Sequence, residues 1–154
     1  MPSTTSLISN LQTDYPQFLF KKASRFLWSP SEKTIYYTDK NSDYSIFLLH
    51  ELSHGLLNHA DYNHDIELIA MESKAWDEVI ELAKKYEITV NKNIIQSTLD
   101  TYRDWLHSRS TCPKCKATGV QNGKKSYHCL ACDHEWRVNE ARICALRRYN
   151  AKDN

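Results

Sequence analysis

Residues 50–54 read His-Glu-Leu-Ser-His, and no other stretch restricts what this chain can fold into so strongly. Two histidines four positions apart fall on one face of an α-helix, one turn above the other, so both imidazoles can reach a single ion. Glu51 points toward the same side, close enough to take a proton from a water held by that ion. The surroundings agree with a helix. Tyr44 to His59 is apolar and helix-compatible, and Asn41, Ser42 and Asp43 offer caps at its start. Ile46, Phe47, Leu49, Leu52, Leu56 and Leu57 would bury it on several sides, which a surface helix with stray histidines would not require. The expected element is a metal-binding helix at about 43–60.

A metal with one open position takes three protein ligands, so a third must come from elsewhere. The extended pattern H-E-x-x-H-x-x-G-x-x-H needs glycine at position 57 and histidine at position 60. The chain has Leu57 and Ala60, which removes that class. His59 lies five residues past His54, on the far side of a continuous helix, and is expected to be a core or surface histidine. What remains is a carboxylate on the next helix, either Glu67 in Ile66–Ala70 or Glu72 in Met71–Trp76. The two are five apart, so at most one can face the ion. Glu67 sits near the start of its helix, where it already suits the dipole. Ala75 and Trp76 beside Glu72 would pack that helix against the first one, which favours Glu72 and leaves Glu67 as the rival.

The run His50–His59 followed by Glu72-Ser-Lys-Ala-Trp76 resembles the ImmA/IrrE group of metallopeptidases across residues 18–86. The resemblance implies an α+β, zincin-like minimal metalloprotease domain: an N-terminal hairpin, the motif helix and further helices. It implies zinc on His50, His54 and Glu72, with Glu51 as the general base and a protein or peptide as substrate. Members of that group often act on repressor or regulatory proteins in bacteria and mobile elements. The chain departs from the group by ending in a zinc ribbon, an arrangement closer to SprT-like proteases. Those use a third histidine as ligand, for which His64 is the nearest downstream candidate.

The ribbon is read from Cys112-Pro-Lys-Cys115 and Cys129-Leu-Ala-Cys132, two pairs separated by thirteen residues. Each pair on a tight turn, with a hairpin between them, aims four thiolates at one ion and closes its coordination shell, so this zinc is expected to be structural. Asn122-Gly123 marks the expected hairpin tip. Asp133 can take the left-handed conformation needed after the last cysteine. Tyr127 and Trp136 are expected to form the ribbon's small core. Cys144, in Arg142–Leu146, is left over as a buried small residue.

A chain of 154 residues has room for one modest core and a small module, placed at 1–107 and 108–154. Hydrophobic residues at 41% and charged residues at 25% exclude a disordered chain. No apolar stretch approaches the ~20 residues needed to cross a bilayer, and the N-terminus lacks the features of a signal peptide. With five cysteines, four of them in metal-ligand spacing, this implies a cytoplasmic protein without a membrane partner. Helices are expected at 4–14, 66–86 and 92–107, strands at 18–28 and 34–38 around the turn Ser29–Lys33, and a last helical segment at 139–149. The apolar stripe of the second of these helices is Ile66, Ile69, Ala70, Trp76, Val79, Ile80 and Ala83.

Charge is divided unevenly. Residues 1–107 carry −5 and residues 108–154 carry +6, which together make the net +1. The basic segment, with Lys114, Lys116, Lys124, Lys125, Arg137, Arg142, Arg147 and Arg148, is therefore a candidate for binding nucleic acid or an acidic protein surface. Two function classes follow. One is a zinc metalloendopeptidase with a catalytic and a structural Zn2+, whose ribbon recruits substrate or nucleic acid. The other is a non-catalytic zinc-binding regulatory or nucleic-acid-binding module on a degenerate zincin scaffold.

Overall fold

The computed structural model describes residues 3–139 and the backbone of 148–150. Among the described residues it is a mixed α+β chain with four helices and two small sheets. Contacts divide it into two compact units, residues 1–61 with 71–92 and residues 62–70 with 93–154.

In the first unit, helix α1 spans Thr4–Asp14, with Ser3 Oγ accepting the Ser6 N–H at its start. The spacing of Leu7, Ile8 and Leu11 puts all three on one buried stripe. Aromatic and β-branched residues then give three short strands, β1 Leu19–Lys22, β2 Leu27–Ser29 and β3 Thr34–Tyr37. The single strand expected at 18–28 is thus two. β2 and β3 form the expected antiparallel hairpin, while β1 pairs with β3 in parallel on its other side. Alternation identifies a strand's faces but not its neighbours. Here β3 is central, and Thr34 and Ile35 are fully buried.

Helix α2, Tyr44–Leu56, lies against β3 and β2. Its entry is set by Asn41, whose Oδ1 accepts the Asp43 N–H at 2.8 Å; Asp43 occupies the cap position without a side-chain bond of its own. Leu48, Leu49 and Leu52 are fully buried, whereas Leu57, just beyond the helix, is exposed. Helix α3 runs Asp65–Lys85. Of its expected stripe, Trp76, Val79 and Ala83 are buried, but Ile66 is 60% exposed and Leu68 takes the inward position instead.

In the second unit, helix α4 spans Lys92–Ser110 and runs past the boundary expected at 107/108. The strands β4 Val120–Gly123, β5 Ser126–His128, β6 Glu135–Val138 and β7 Arg148–Asn150 form one antiparallel sheet in that order. The hairpin tip is Lys124-Lys125, not Asn122-Gly123, because the register shifts between Gln121 and Gly123 and Gly123 pairs with Ser126. The Gln121 amide donates to the Gly123 and Lys124 carbonyls and so holds the tip. Of the segment expected to be helical at 139–149, residues 148 and 149 belong to a strand, and residues 140–147, with Cys144, lie outside the described residues.

Candidate metal centres

Helix periodicity places His50 and His54 one turn apart on α2, with ring centroids 4.6 Å apart. Glu72 of α3 faces both. Its Oε2 lies 3.0 Å from His50 Nε2 and its Oε1 lies 3.2 Å from His54 Nε2. All three residues are buried, at 6%, 8% and 3% exposure. Ligand atoms ~2.1 Å from a tetrahedral zinc stand ~3.4 Å from one another, so both histidine–glutamate separations are within a few tenths of an ångström of that spacing, and one ligand atom from each of the three lies within 4.8 Å of the others. His50 Nε2 and Glu72 Oε2, though close, make no hydrogen bond with each other or with anything else. Two buried polar atoms that face each other without a formed hydrogen bond are costly, and a proton on His50 or a cation between them would offset that cost. These residues fit a metal ion.

The electrostatics say the same. Burial works to lower His50, but Glu51 and Glu72 outweigh it and raise its imidazole to about 9. Burial works to raise Glu72, yet His50 and His54 bring its carboxyl down to about 2. The pocket therefore favours positive charge next to Glu72. Trp76 lies flat on His50, with centroids 4.3 Å apart and 16° between planes, and fixes that ring. Glu51 stands beside the three-residue group, its Oε1 3.6 Å from His50 Nδ1 and its side chain 15% exposed. It meets the His50 nitrogen that does not face Glu72, and it is not one of the three grouped residues.

Among the described residues the group has three members. Glu67 and His64 are not in it; both are exposed, and their side chains lie 3.3 Å from each other. His59 is where the expectation needs correcting. It does not lie on the far side of the helix, because the helix ends before reaching it. Asn58 adopts a left-handed φ of 57°, the His59 N–H bonds the His54 carbonyl, and the Asn58 N–H bonds the Gly55 carbonyl. This paired capping pattern folds the chain back over the last turn. It brings His59 Nδ1 to 2.8 Å from His54 Nδ1. Burial first, and then the neighbouring His54, hold the His59 imidazole below its ordinary value. An asparagine just past the apolar run was the available sequence signal for that reversal.

The second centre joins Cys112, Cys115, Cys129 and Cys132, whose sulfurs all lie within 4.8 Å of one another. The Cys112–Cys132 and Cys115–Cys129 separations are 3.6 and 3.5 Å. A disulfide would require ~2.05 Å, whereas four sulfurs ~2.3 Å from a tetrahedral ion stand ~3.8 Å apart. Two matched turns build this shell. Lys116 N–H bonds Cys112 O and Asp133 N–H bonds Cys129 O, and the residues after each pair, Lys116 and Asp133, have φ of 66° and 65°. Burial works to raise the Cys112 thiol, but backbone N–H groups of Cys115 and Lys114 outweigh it and lower it to about 6. Cys132 goes the other way. The His134 N–H favours its thiolate, yet burial and the crowding sulfurs push it up to about 12. A cation is what would let all four ionise together.

The ribbon rests on residues that spacing alone did not reveal. Arg109, 3% exposed, donates from Nε to Asp65 Oδ2 at 2.8 Å, and Tyr127 donates to the same oxygen at 2.5 Å. Trp136 donates from its indole to the Arg109 carbonyl and stacks on Tyr127. Tyr127 and Trp136 are 2% and 0% exposed, which makes them core. Asp65 and Arg109 lie 44 residues apart, with no local pattern linking them. Comparison with family models, with curated proteins and with solved structures finds no match to the chain, so the chemistry of these two centres carries its functional reading.

Proposed function

We propose that this chain is a zinc-dependent metalloendopeptidase of the ImmA/IrrE-like, zincin type, with a structural zinc ribbon. The observation behind this is the His50–His54–Glu72 group, with two buried unpartnered ligand atoms and Glu51 beside it but outside it. When bound there, zinc supplies Lewis acidity, which polarises a carbonyl and acidifies water. His50, His54 and Glu72 would hold it as two neutral nitrogens and one carboxylate, leaving a fourth position open. Glu51 would take a proton from the attacking water and return it to the leaving amine. Trp76 keeps the His50 ring from turning away. The four cysteines fill their shell completely, so the ribbon zinc supports the fold and does no chemistry.

The test is cleavage of a proteome-derived peptide library read by mass spectrometry. Zinc-loaded protein should cut the library, and chelator-treated protein should not. Glu51→Gln should retain two zinc equivalents while losing at least the ~10²-fold contributed by an acid–base group. Library peptides left intact by fully loaded protein would favour the non-catalytic, regulatory alternative.

A further inference from the structure

We propose that His59 is a positioning residue for the first metal, its Nδ1 lone pair accepting the Nδ1–H of His54 and so aiming His54 Nε2 at the ion. The proposal rests on reading that centre as a metal site. If His54 ligates through Nε2, which faces Glu72, its remaining proton is on Nδ1. That proton needs an acceptor, and the partner at 2.8 Å is His59 Nδ1. His59 must then carry its own proton on Nε2. A ligand histidine whose other nitrogen is held in this way has its tautomer and ring plane fixed.

Two backbone hydrogen bonds hold His59 in that place. Its N–H bonds the His54 carbonyl, closing the helix cap behind the ligand. Its own carbonyl accepts the Trp28 indole N–H at 2.9 Å, from strand β2. Trp28 packs edge-on against Phe18 at 5.3 Å, and both rings lie against Gly55, where a Cβ would meet each at 3.2 Å. The backbone of His59 is thus clamped from two sides while its ring is directed at His54. An apolar side chain at position 59 could keep the two backbone bonds but would lose the acceptor.

The experiment compares His59→Leu, similar in bulk but without an acceptor, with His59→Gln, whose side-chain carbonyl can accept the same proton. First-site zinc affinity is measured on the full chain by competition with a chromophoric chelator, with His54→Ala marking the ribbon's share. Loss of such a supporting partner typically weakens metal binding ~10–100-fold, which is the loss expected for His59→Leu, with recovery in His59→Gln. In the zinc-loaded native protein the His54 Nδ1–H should give a slowly exchanging imidazole resonance, present in His59→Gln and gone in His59→Leu. A role in helix capping alone would leave affinity and resonance unmoved. Equal affinity in native protein and His59→Leu, or equal loss in Leu and Gln variants, overturns the proposal. A native chain that holds zinc only in the ribbon would instead overturn the metal reading beneath it. Should His59→Leu fail to fold, His59→Ala is read in the same way.

Discussion

His50 sits between two carboxylates, and that local charge balance makes the metal-free first centre sensitive to pH on both its acid and its alkaline side. In protein stripped by a chelator, His50 is raised from 6.5 to about 9, so its contribution to stability is complete below pH 6.5 and lost as pH rises through about 9. Glu72 is lowered from 4.5 to about 2, so its contribution is present above pH 4.5 and lost as pH falls through about 2. The pair therefore favours the stripped fold most between pH 4.5 and 6.5. Ligation needs the neutral imidazole, so zinc removes the dependence on the alkaline side. Urea melts of stripped protein should lose stability from pH 6.5 to above 9, and zinc-loaded protein should not. Matching alkaline profiles for the two samples would contradict this assignment. Glu72→Gln tests the ligand itself. It removes the only carboxylate of the group and should release the first zinc while leaving the ribbon's in place, read by elemental analysis.

Helix α2 is where the sequence was most legible and also where it misled. An apolar run with two histidines at a four-residue interval can be read without a structure, because helical periodicity alone puts both on one face. Glu72 was reachable for a similar reason, since Ala75 and Trp76 mark the inner side of α3, and both are buried. His59 was not, because counting around a helix assumes that the helix continues, and Asn58 ends it. The partner of β3 on its far side was illegible as well, since pairing across a sheet depends on contacts between distant residues. Gly55 follows from how closely α2 packs. A methyl there would meet Phe18 and Trp28 at 3.2 Å. Gly55→Ala gains up to ~1 kcal/mol of helix propensity but overpacks a tight contact, typically ~1–3 kcal/mol. Net destabilisation is expected in chemical denaturation. A more stable Gly55→Ala protein would mean those rings can move aside. In the second unit, Asp65→Ala would leave the buried Arg109 without its carboxylate, keeping only the Asn139 carbonyl and the Trp105 ring, a loss of ~3–5 kcal/mol for breaking a buried pair. Tyr127→Phe removes only one hydrogen bond to the same oxygen and should cost the ~1–3 kcal/mol of a buried group left short. Reversal of that order would show that Tyr127, and not Arg109, is the chief support of Asp65.

Over the whole chain, charge divides into an acidic part, −5 over residues 1–107, and a basic part, +6 over residues 108–154. Among the described residues no helix is long and apolar enough to cross a membrane. Within the described ribbon, Lys114, Lys116, Lys124, Lys125 and Arg137 are exposed, against Asp133 and Glu135. Tyr127 and Trp136 are buried in the ribbon core, so neither is available to stack on a base. Any nucleic acid bound here would be held through its phosphates, with little preference for sequence. Phosphate contacts release counterions, so affinity should fall steeply between ~50 and ~200 mM salt. The full chain is the right sample. A fragment starting at residue 108 would lose Asp65, which anchors both Arg109 and Tyr127. Fluorescence anisotropy with labelled single- and double-stranded oligonucleotides at low salt is expected to give weak binding to both. Lys124→Glu with Lys125→Glu should weaken it and leave the ribbon zinc in place, since the hairpin tip is remote in role from the four cysteines and supplies no ligand. Binding that ignored salt, or survived the charge reversal, would exclude phosphate contacts at the tip. No binding to either oligonucleotide would point the basic face toward an acidic protein surface.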